Sequence, residues 1–337
     1  MPNSLTSAAS WREEFAQAVR EVDELWRLLD LPVDDLPGAR AAAEDFPLMV
    51  PRPYLSRIRK GDLQDPLLLQ MLPQGRERDF VPGYDDDPVG ESLATCQPGL
   101  LRKYHGRALM ICTSACAIHC RYCFRRHYPY AERPRGPAWW QPALAAIAAD
   151  PSVEEIILSG GDPLTLPDSE LAAIAQAAAL VPGLKRLRIH TRLPIMIPQR
   201  VCPELLAWLS DLPLQAVMVL HANHPNEVDA EVTAACRRLT AAGIPLLNQA
   251  VLLGEINDSA SVQLALGERL LAAGVIPYYL HVLDRVAGAA HFARSDDQAQ
   301  ALMAELHRIA PGYLVPRLVR EVPGETGKRW LWPMAEN

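Results

Sequence analysis

From residue 107 onward the sequence alternates between short apolar runs and segments with helical periodicity. The apolar runs have the length of strands, and the segments between them place apolar side chains three and four residues apart. This alternation is typical of parallel β/α units, in which each strand is followed by a helix that packs on the sheet. The predicted strands cover residues 108–111, 155–158, 187–190, 216–221, 246–252 and 277–282, and the predicted helices cover about 137–149, 168–180, 203–210, 226–242, 259–273 and 295–309.

Six β/α units favour an incomplete barrel over a complete barrel of eight. In such barrels the functional residues lie on loops at the C-terminal ends of the strands. Each predicted strand contains polar residues near its end or leads into them: the cysteines after the first, Ser159 to Asp162 after the second, His190 to Arg192, then His221, Asn223 and His224, then Asn248 and Gln249, and finally His281 and Asp284. The sequence therefore predicts one functional site at this rim.

Residues 1–100 precede the barrel pattern and predict an N-terminal helical and irregular extension. Apolar spacing predicts a helix over residues 10–29, with Ser10 as its cap. The run of Asp85, Asp86 and Asp87 predicts a solvated loop, with metal binding as the less favoured alternative. We expect the barrel itself over residues 101–315 and a separate C-terminal segment over 316–337.

The overall charge of the chain limits its partners. There are 33 basic and 40 acidic side chains, which give a formal charge of −7, so no global field favours nucleic acid or an anionic membrane. The apolar runs fall short of the roughly 18 residues that a membrane span needs, and the N-terminus lacks the features of a secretory signal. We therefore expect a cytoplasmic protein that binds neither nucleic acid nor membrane.

Cys116, Cys120 and Cys123 are spaced four and three residues apart, which is close enough for one loop. Three thiolates can bind three irons of a 4Fe-4S cluster and leave the fourth iron open to another ligand. A structural zinc site is the alternative, because Cys112 or His119 could supply a fourth ligand. The remaining cysteines are scattered singly and fit small buried side chains.

Two further motifs have both a functional and a structural interpretation. In the segment Ser159-Gly160-Gly161-Asp162, the glycines would let the backbone approach a ligand and the carboxylate could accept from an ammonium, although a Gly-Gly turn is also common in loops. Arg125 and Arg126 follow the cysteines directly. They either balance the negative charge of a cluster or bind a substrate carboxylate, which the planar guanidinium can do with two hydrogen bonds.

The CxxxCxxC spacing resembles the signature of the radical S-adenosylmethionine enzymes, and Tyr122 suits the aromatic residue usual before the last cysteine. Six segments in this order resemble the lysine 2,3-aminomutase family from about residue 100 to the end: CAIHCRYCFRR, LSGGDPL, RIHTRLP, HANHPNE, LLNQAVLL and PYYLHVLD. The resemblance implies an α/β fold, a partial (β/α)6 TIM-like barrel of the radical S-adenosylmethionine type. It also implies three cofactors: a 4Fe-4S cluster on the three cysteines, S-adenosylmethionine on the open iron, and pyridoxal 5'-phosphate.

The resemblance assigns roles to residues that match the motifs of the family. Lys328 matches the catalytic lysine that holds pyridoxal phosphate covalently, and Arg125 matches the arginine that binds the substrate α-carboxylate. Asp284 and Glu321 match the two carboxylates that bind the ε-ammonium of lysine. The other implied cofactor-binding residues are Tyr104 and Arg107, near the phosphate, and Ser159, Gly160, Gly161, Asp162, Arg192 and Gln249.

The reaction that the resemblance implies is an isomerisation of L-lysine. The cluster, reduced by one electron from an external donor, cleaves the carbon–sulfur bond of S-adenosylmethionine and yields a 5'-deoxyadenosyl radical, which removes a β-hydrogen. The amino group then moves from the α- to the β-carbon, and hydrogen returns from 5'-deoxyadenosine, so that S-adenosylmethionine is regenerated. Three alternatives stay open at this point: a different amino acid substrate such as glutamate, a radical S-adenosylmethionine enzyme without pyridoxal phosphate, and a zinc-stabilised binding module.

Two departures from the pattern of the family bear on the branch to which the chain is most similar. Glu321 stands where lysine 2,3-aminomutases proper have Asp, which lengthens the side chain by one methylene. No cysteine follows Cys236, whereas the longer members carry a zinc-binding tail with cysteines. The chain therefore resembles the shorter branch, which makes (R)-β-lysine for a ligase that attaches it to elongation factor P. The oligomeric state stays open, a homo-oligomer included.

Overall fold

The computed structural model of the protein describes residues 10–132, 136 and 138–331. None of the helices in these residues has both the length and the apolar character needed to cross a membrane. The α-helices are α1 Trp11–Ala16, α2 Val22–Leu29, α3 Leu36–Asp45, α4 Arg52–Leu55, α5 Pro66–Leu69, α6 Glu91–Ala94, α7 Gln141–Ala148, α8 Asp168–Ala179, α9 Leu193–Met196, α10 Pro203–Ser210, α11 Ala230–Ala241, α12 Ala260–Ala272 and α13 Asp296–Ile309.

The strands form one open sheet in which the order in space follows the order in the chain. They are β1 Thr95–Gln97, β2 Leu100–Leu101, β3 Arg107–Thr113, β4 Glu155–Gly160, β5 Arg186–Thr191, β6 Gln215–Leu220, β7 Leu246–Leu252, β8 Val275–Val282, β9 Arg317–Arg320 and β10 Arg329–Trp330. Strands β3 to β9 are parallel, and short antiparallel strands extend the sheet at both edges. The result is a barrel wall that does not close.

The helices pack on the outside of this sheet because each has one apolar stripe. Helix α8 shows the pattern, since it buries Leu171, Ile174, Ala175 and Ala178 at the spacing of a single helix face. Strand β4 is buried along its whole length, as expected for a parallel strand covered on both faces. The starts of several helices are capped by side chains, including Asp229 before α11.

The prediction of a partial barrel of six β/α units is confirmed. Strand β7 spans residues 246–252 and helix α10 spans 203–210, as predicted, and the other predicted elements differ mainly at their ends or by division. The predicted segment 226–242 is divided, with a 3₁₀ turn at Pro225–Glu227 before α11. The short strands β1, β2, β9 and β10 were not predicted, because runs of two to four residues carry too little periodicity. The three-part division at residues 100 and 315 stays a prediction.

The prediction of one helix over residues 10–29 is wrong, because the chain forms α1 and α2 with a break between them. At the break Val19 forms an antiparallel bridge with Val50, with N–O distances of 2.8 and 3.0 Å in the two directions. Helical hydrogen bonding at Val19 would lose this bridge. The cap at Ser10 is confirmed, since its side chain accepts from the backbone of Glu13.

The loop that contains Asp85, Asp86 and Asp87 is attached to the barrel. Asp85 and Asp86 are exposed, as predicted, but the backbone of Asp85 pairs with the segment around Val286. The carboxylate of Asp87 accepts from the amide of Glu91 at 2.7 Å, at the start of α6. These contacts fix the residues before β1 against the loop that follows β8.

Candidate active site

The interior of the open barrel contains a cavity of about 710 Å³. This volume lies in the range of small-molecule sites. The cavity extends from the cysteine loop after β3 to the loop after β9 that carries Lys328, and both loops follow the C-terminal ends of parallel strands. It is lined by every residue to which the family resemblance assigns a role: Tyr104, Arg107, Cys116, Cys120, Cys123, Arg125, Ser159, Gly160, Gly161, Asp162, Arg192, Gln249, Asp284, Glu321 and Lys328. Asn223, His224 and Asn248, which the strand ends also pointed to, are not among the lining residues.

Cys116, Cys120 and Cys123 lie half-buried on the loop after β3, with free thiols. The N-terminal extension holds this loop, because the amide of Arg121 donates to the carbonyl oxygen of Gln70 at 2.9 Å. Burial raises the pKa of the Cys116 thiol and raises that of Cys123 to about 11, so iron must displace the protons for these sulfurs to bind it. Three soft sulfur ligands on one loop beside a cavity fit a 4Fe-4S cluster. Among the described residues, no three Cys, His, Asp or Glu side chains converge on a single metal ion, which a cluster does not require because each cysteine binds a different iron.

Arg192 connects the cysteine loop to a buried polar network. Its Nη1 lies 2.7 Å from Cys120 Sγ, and its Nη2 donates to Gln70 Oε1 at 2.6 Å and to Glu227 Oε2 at 2.8 Å. Burial opposes the charge of Arg192, but Cys120 and the neighbouring Tyr122 and Glu227 hold its pKa above the ordinary value. The family resemblance predicted Arg192 for the site, but nothing in the sequence indicated Gln70, which belongs to the N-terminal extension.

The two glycines after β4 are required by the cysteine loop. A Cβ at Gly160, where φ is +120°, would lie 2.7 Å from Thr113 O, and a Cβ at Gly161 would lie 2.4 Å from Ala115 O. The amides of Gly161 and Asp162 donate to these same two carbonyls, each at 2.7 Å. The close backbone approach that glycine permits is therefore an approach to the segment that leads into Cys116.

Asp162 holds the ends of β4 and β5 together. Its carboxylate accepts from the Thr191 hydroxyl at 2.7 Å and from the amides of Leu164, Arg192 and Leu193 at 2.7 to 3.0 Å. Burial raises its pKa despite these bonds. Because the described structure already uses the carboxylate this fully, its direct contact with a cofactor stays a prediction.

Arg125 is buried at the end of the cavity near the glycines. Its Nε and Nη2 donate to the two carboxylate oxygens of Glu91 at 2.8 and 2.7 Å, and its Nη1 donates to Ser159 Oγ at 2.9 Å and Gly160 O at 3.2 Å. Burial opposes its charge, but the ion pair with Glu91 holds the pKa of Arg125 above its usual value. The sequence gave Glu91 no role, although it lines the cavity.

Lys328 and Glu321 form an ion pair in another part of the cavity, with Nζ donating to Oε2. Lys103 donates to the other oxygen, Glu321 Oε1, at 3.2 Å. Burial would raise the pKa of Glu321, but these two ammonium groups lower it to about 2. Asp284 behaves in the opposite way, because burial and the charge of Glu321 raise its pKa to about 7. The sequence predicted Lys328, Glu321 and Asp284 but not Lys103.

Tyr104 and Arg107 lie together, with the guanidinium carbon of Arg107 5.3 Å from the centre of the Tyr104 ring. Burial, and then the charge of Glu321, raise the pKa of Tyr104, so its hydroxyl stays protonated. Arg188 of β5 also lines the cavity and pairs with Glu155, with Nε to Oε1 at 3.1 Å. Arg107 and Arg188 supply the positive charge that a phosphate group requires.

Four of the described histidines line the cavity, and three of them, His190, His221 and His281, are neutral rings on strand ends of the barrel wall. His190 and His221 contact each other with ring centres 6.0 Å apart, and His221 Nε2 lies 3.1 Å from Gln249 Nε2. Burial lowers the pKa of all three, that of His221 to about 3. In the described part of the chain, Nε2 of His190 and of His281 has no hydrogen-bond partner. Buried polar atoms of this kind usually have one, so these two fit contacts with a bound cofactor.

The CxxxCxxC loop after the first strand of a partial (β/α)6 barrel defines the class of the protein, a radical S-adenosylmethionine enzyme. In agreement, the model of the radical SAM superfamily matches residues 110–265. Enzymes of this class use a 4Fe-4S cluster together with S-adenosylmethionine.

The family within this class follows from whole-chain relatives. The L-lysine 2,3-aminomutase of Escherichia coli (strain K12) is 46% identical over 96% of this chain and 94% of that protein. The enzyme of the same name from Haemophilus influenzae is 44% identical over 95% and 94%, and that from Clostridium subterminale is 32% identical over 96% and 78%. The chain belongs to the L-lysine 2,3-aminomutase family and is an isomerase.

Proposed function

We propose that this enzyme converts L-α-lysine to (R)-β-lysine with pyridoxal phosphate as its third cofactor. The observation that carries the proposal is the charge arrangement inside one cavity. Arg125 faces it in one region, and the carboxylates of Asp284 and Glu321 lie in another, beside Lys328. A substrate with an α-carboxylate and a distant ammonium is complementary to this arrangement.

Cys116, Cys120 and Cys123 would hold the cluster, with S-adenosylmethionine beside the glycine turn. The bound pair supplies a 5'-deoxyadenosyl radical. The chain contributes Arg192, which keeps a positive charge next to the Cys120 sulfur, and Gly160 and Gly161, which let the cysteine loop lie against β4.

Lys328 would hold pyridoxal phosphate covalently, and Tyr104 and Arg107 would lie near its phosphate. The bound cofactor stabilises an unpaired electron by spreading it over the pyridine ring. The neutral His190 and His281 offer polar nitrogens without adding charge. The pair between Glu321 and Lys328 keeps the lysine inside the cavity before the cofactor binds.

The substrate ends would be bound by side chains of opposite charge. Arg125 donates to the α-carboxylate, and Asp284 and Glu321 accept from the ε-ammonium. Buried aliphatic residues such as Ala108 and Met196 line the cavity and exclude water, which protects a radical from stray hydrogen donors. Nothing in this arrangement favours glutamate, whose second carboxylate would meet the two acidic side chains.

The test is an anaerobic assay of the reconstituted enzyme with S-adenosylmethionine, pyridoxal phosphate, a reductant and L-lysine. We expect (R)-β-lysine by chiral chromatography, and no product from Lys328→Ala. Lys185→Ala is the control, because this exposed lysine pairs with Glu154 away from the cavity. Cleavage of S-adenosylmethionine with lysine untouched would exclude the lysine site built on Asp284 and Glu321.

The use of the product is part of the same proposal. The resemblance to the shorter branch supports transfer of (R)-β-lysine to elongation factor P by a separate ligase, in the cytoplasm, and it leaves a homo-oligomer open. The experiment adds purified elongation factor P and its ligase to the assay and measures the mass of the factor. An increase by one β-lysine, dependent on the aminomutase when only L-α-lysine is supplied, is the expected result.

A further inference from the structure

Glu91 holds the arginine that is proposed to bind the substrate carboxylate. The two side chains are only 5% and 8% exposed, and both carboxylate oxygens of Glu91 accept from Arg125. With the bonds to Ser159 and Gly160, four of the five N–H groups of Arg125 are used in the described structure. One N–H, on Nη2, is left for a ligand.

Three contacts place Glu91, and two of them involve segments of the substrate site. The amide of Asp85 donates at 3.0 Å to the carbonyl oxygen of Arg285, the residue that follows Asp284 in the chain. Asp87 accepts from the amide of Glu91 at 2.7 Å. Gly90 has φ of +64°, and a Cβ there would lie 3.0 Å from Pro323 in the segment between Glu321 and Lys328. The position of Glu91 is therefore tied to the loops that carry the ammonium-binding residues.

Lys103 connects Glu91 to the other end of the site. Its Nζ lies 4.0 Å from Glu91 Oε1 and 3.2 Å from Glu321 Oε1, and it also donates to Val89 O at 3.0 Å. Positive and negative charges thus alternate along the cavity wall, in the order Arg125, Glu91, Lys103, Glu321 and Lys328.

We propose that Glu91 is a positioning residue for substrate binding, which fixes Arg125 against the cavity wall and, through Lys103, ties the carboxylate end of the site to the ammonium end at Glu321. This inference rests on the proposed function, because it concerns the ends of the substrate lysine. Breaking a buried ion pair leaves an uncompensated charge. The substrate carboxylate therefore binds beside the pair of Arg125 and Glu91 without replacing Glu91.

The test compares three ligands that differ only in their ends. L-lysine has both, L-norleucine lacks the ε-amine, and 1,5-diaminopentane lacks the carboxylate. Affinities are measured by isothermal titration calorimetry on enzyme loaded with cluster and pyridoxal phosphate, without reductant, so that no turnover occurs. We expect Glu91→Gln to lower the affinity for L-lysine and for L-norleucine by about tenfold or more. The affinity for 1,5-diaminopentane should stay within about threefold of that of the unmodified enzyme.

Three further variants make the result specific. Glu91→Asp, which keeps the charge, should recover part of the affinity for L-norleucine. Lys103→Met should lower the affinity for L-lysine and 1,5-diaminopentane more than the affinity for L-norleucine. Asp168→Asn removes a buried partner of Arg200 outside the cavity and should alter no affinity, even where it lowers stability.

Two results would overturn the role of Glu91. Equal weakening of all three ligands by Glu91→Gln would mean a general structural effect, and tighter binding of L-norleucine would mean that Glu91 competes with the substrate. If the unmodified enzyme binds none of the ligands, the proposed function itself fails and the role of Glu91 fails with it.

Discussion

The guanidinium of Arg192 lies against the sulfur of Cys120, with Nη1 and Sγ 2.7 Å apart. A charged donor next to a cluster sulfur stabilises the more negative, reduced cluster and so raises its reduction potential. We predict that Arg192→Gln lowers the potential of the reconstituted cluster by tens of millivolts. The measurement is a redox titration followed by electron paramagnetic resonance.

A surface arginine provides the control for this variant. Arg237→Gln changes the charge of the protein equally but lies on the exposed side of α11. Its potential should match that of the unmodified enzyme. An unchanged potential in Arg192→Gln, with the iron content preserved, would mean that the contact with Cys120 does not persist in the loaded enzyme.

The raised pKa of Asp284, about 7, predicts a pH dependence of lysine binding. The ε-ammonium of lysine stays protonated well above this value, but the carboxylate that receives it is ionised only as pH rises through about 7. Affinity for L-lysine should therefore rise from pH 6 to pH 8, by up to about tenfold per pH unit on the acidic side. Calorimetric titration without reductant measures it directly.

Asp284→Asn tests the origin of this dependence. The variant should bind L-lysine weakly and with little change between pH 6 and pH 8. If the variant keeps the pH profile of the unmodified enzyme, another group is responsible for it.

The lowered pKa of Glu321 predicts a contribution to stability that depends on pH. The carboxylate is ionised in the folded protein above about 2, whereas its ordinary value is 4.5. Its stabilising effect is therefore complete above pH 5 and is lost as pH falls toward 2. This difference between the two pKa values corresponds to a contribution of at most on the order of 3 kcal/mol to the free energy of unfolding.

Glu321→Gln should consequently unfold at lower denaturant concentration at pH 7, and its difference from the unmodified protein should shrink between pH 5 and pH 3. Urea unfolding of the apoprotein measures both. Glu321→Asp keeps the charge, so its unfolding midpoint in urea at pH 7 should lie between those of Glu321→Gln and the unmodified protein. A pH-independent difference would assign the loss to packing.

The barrel and the cysteine loop could be predicted from the residues alone because their signals are local, whereas the roles of Lys328, Asp284 and Glu321 were implied only by the family resemblance. Alternating strands and helices have a visible period, and the cysteine spacing lies within eight residues. The pairs of Arg125 with Glu91 and of Lys103 with Glu321 could not be predicted, since they join positions 34 and 218 residues apart. No period marks such partners, and only the folded chain brings them together.

The Ser-Gly-Gly-Asp motif shows a different limit of the sequence. Its position at the site was predicted, but the residue types do not say whether glycines face a ligand or another loop. In the folded chain Gly161 faces Ala115, and Asp162 accepts from Thr191 and from nearby amides. The motif therefore organises the cysteine loop whatever it binds.

Gly161→Ala should accordingly impair cluster assembly more than folding. The added methyl would lie 2.4 Å from Ala115 O, and backbone cannot yield as a flexible side chain can, so the segment before Cys116 must shift. We predict that iron and sulfide content after reconstitution falls to less than about half, since ligand geometry has to be held closely. Gly312→Ala is the matched control, because a Cβ there meets nothing within 4 Å. Full iron content in Gly161→Ala would show that the cysteine loop tolerates displacement, and the glycines would then need another explanation.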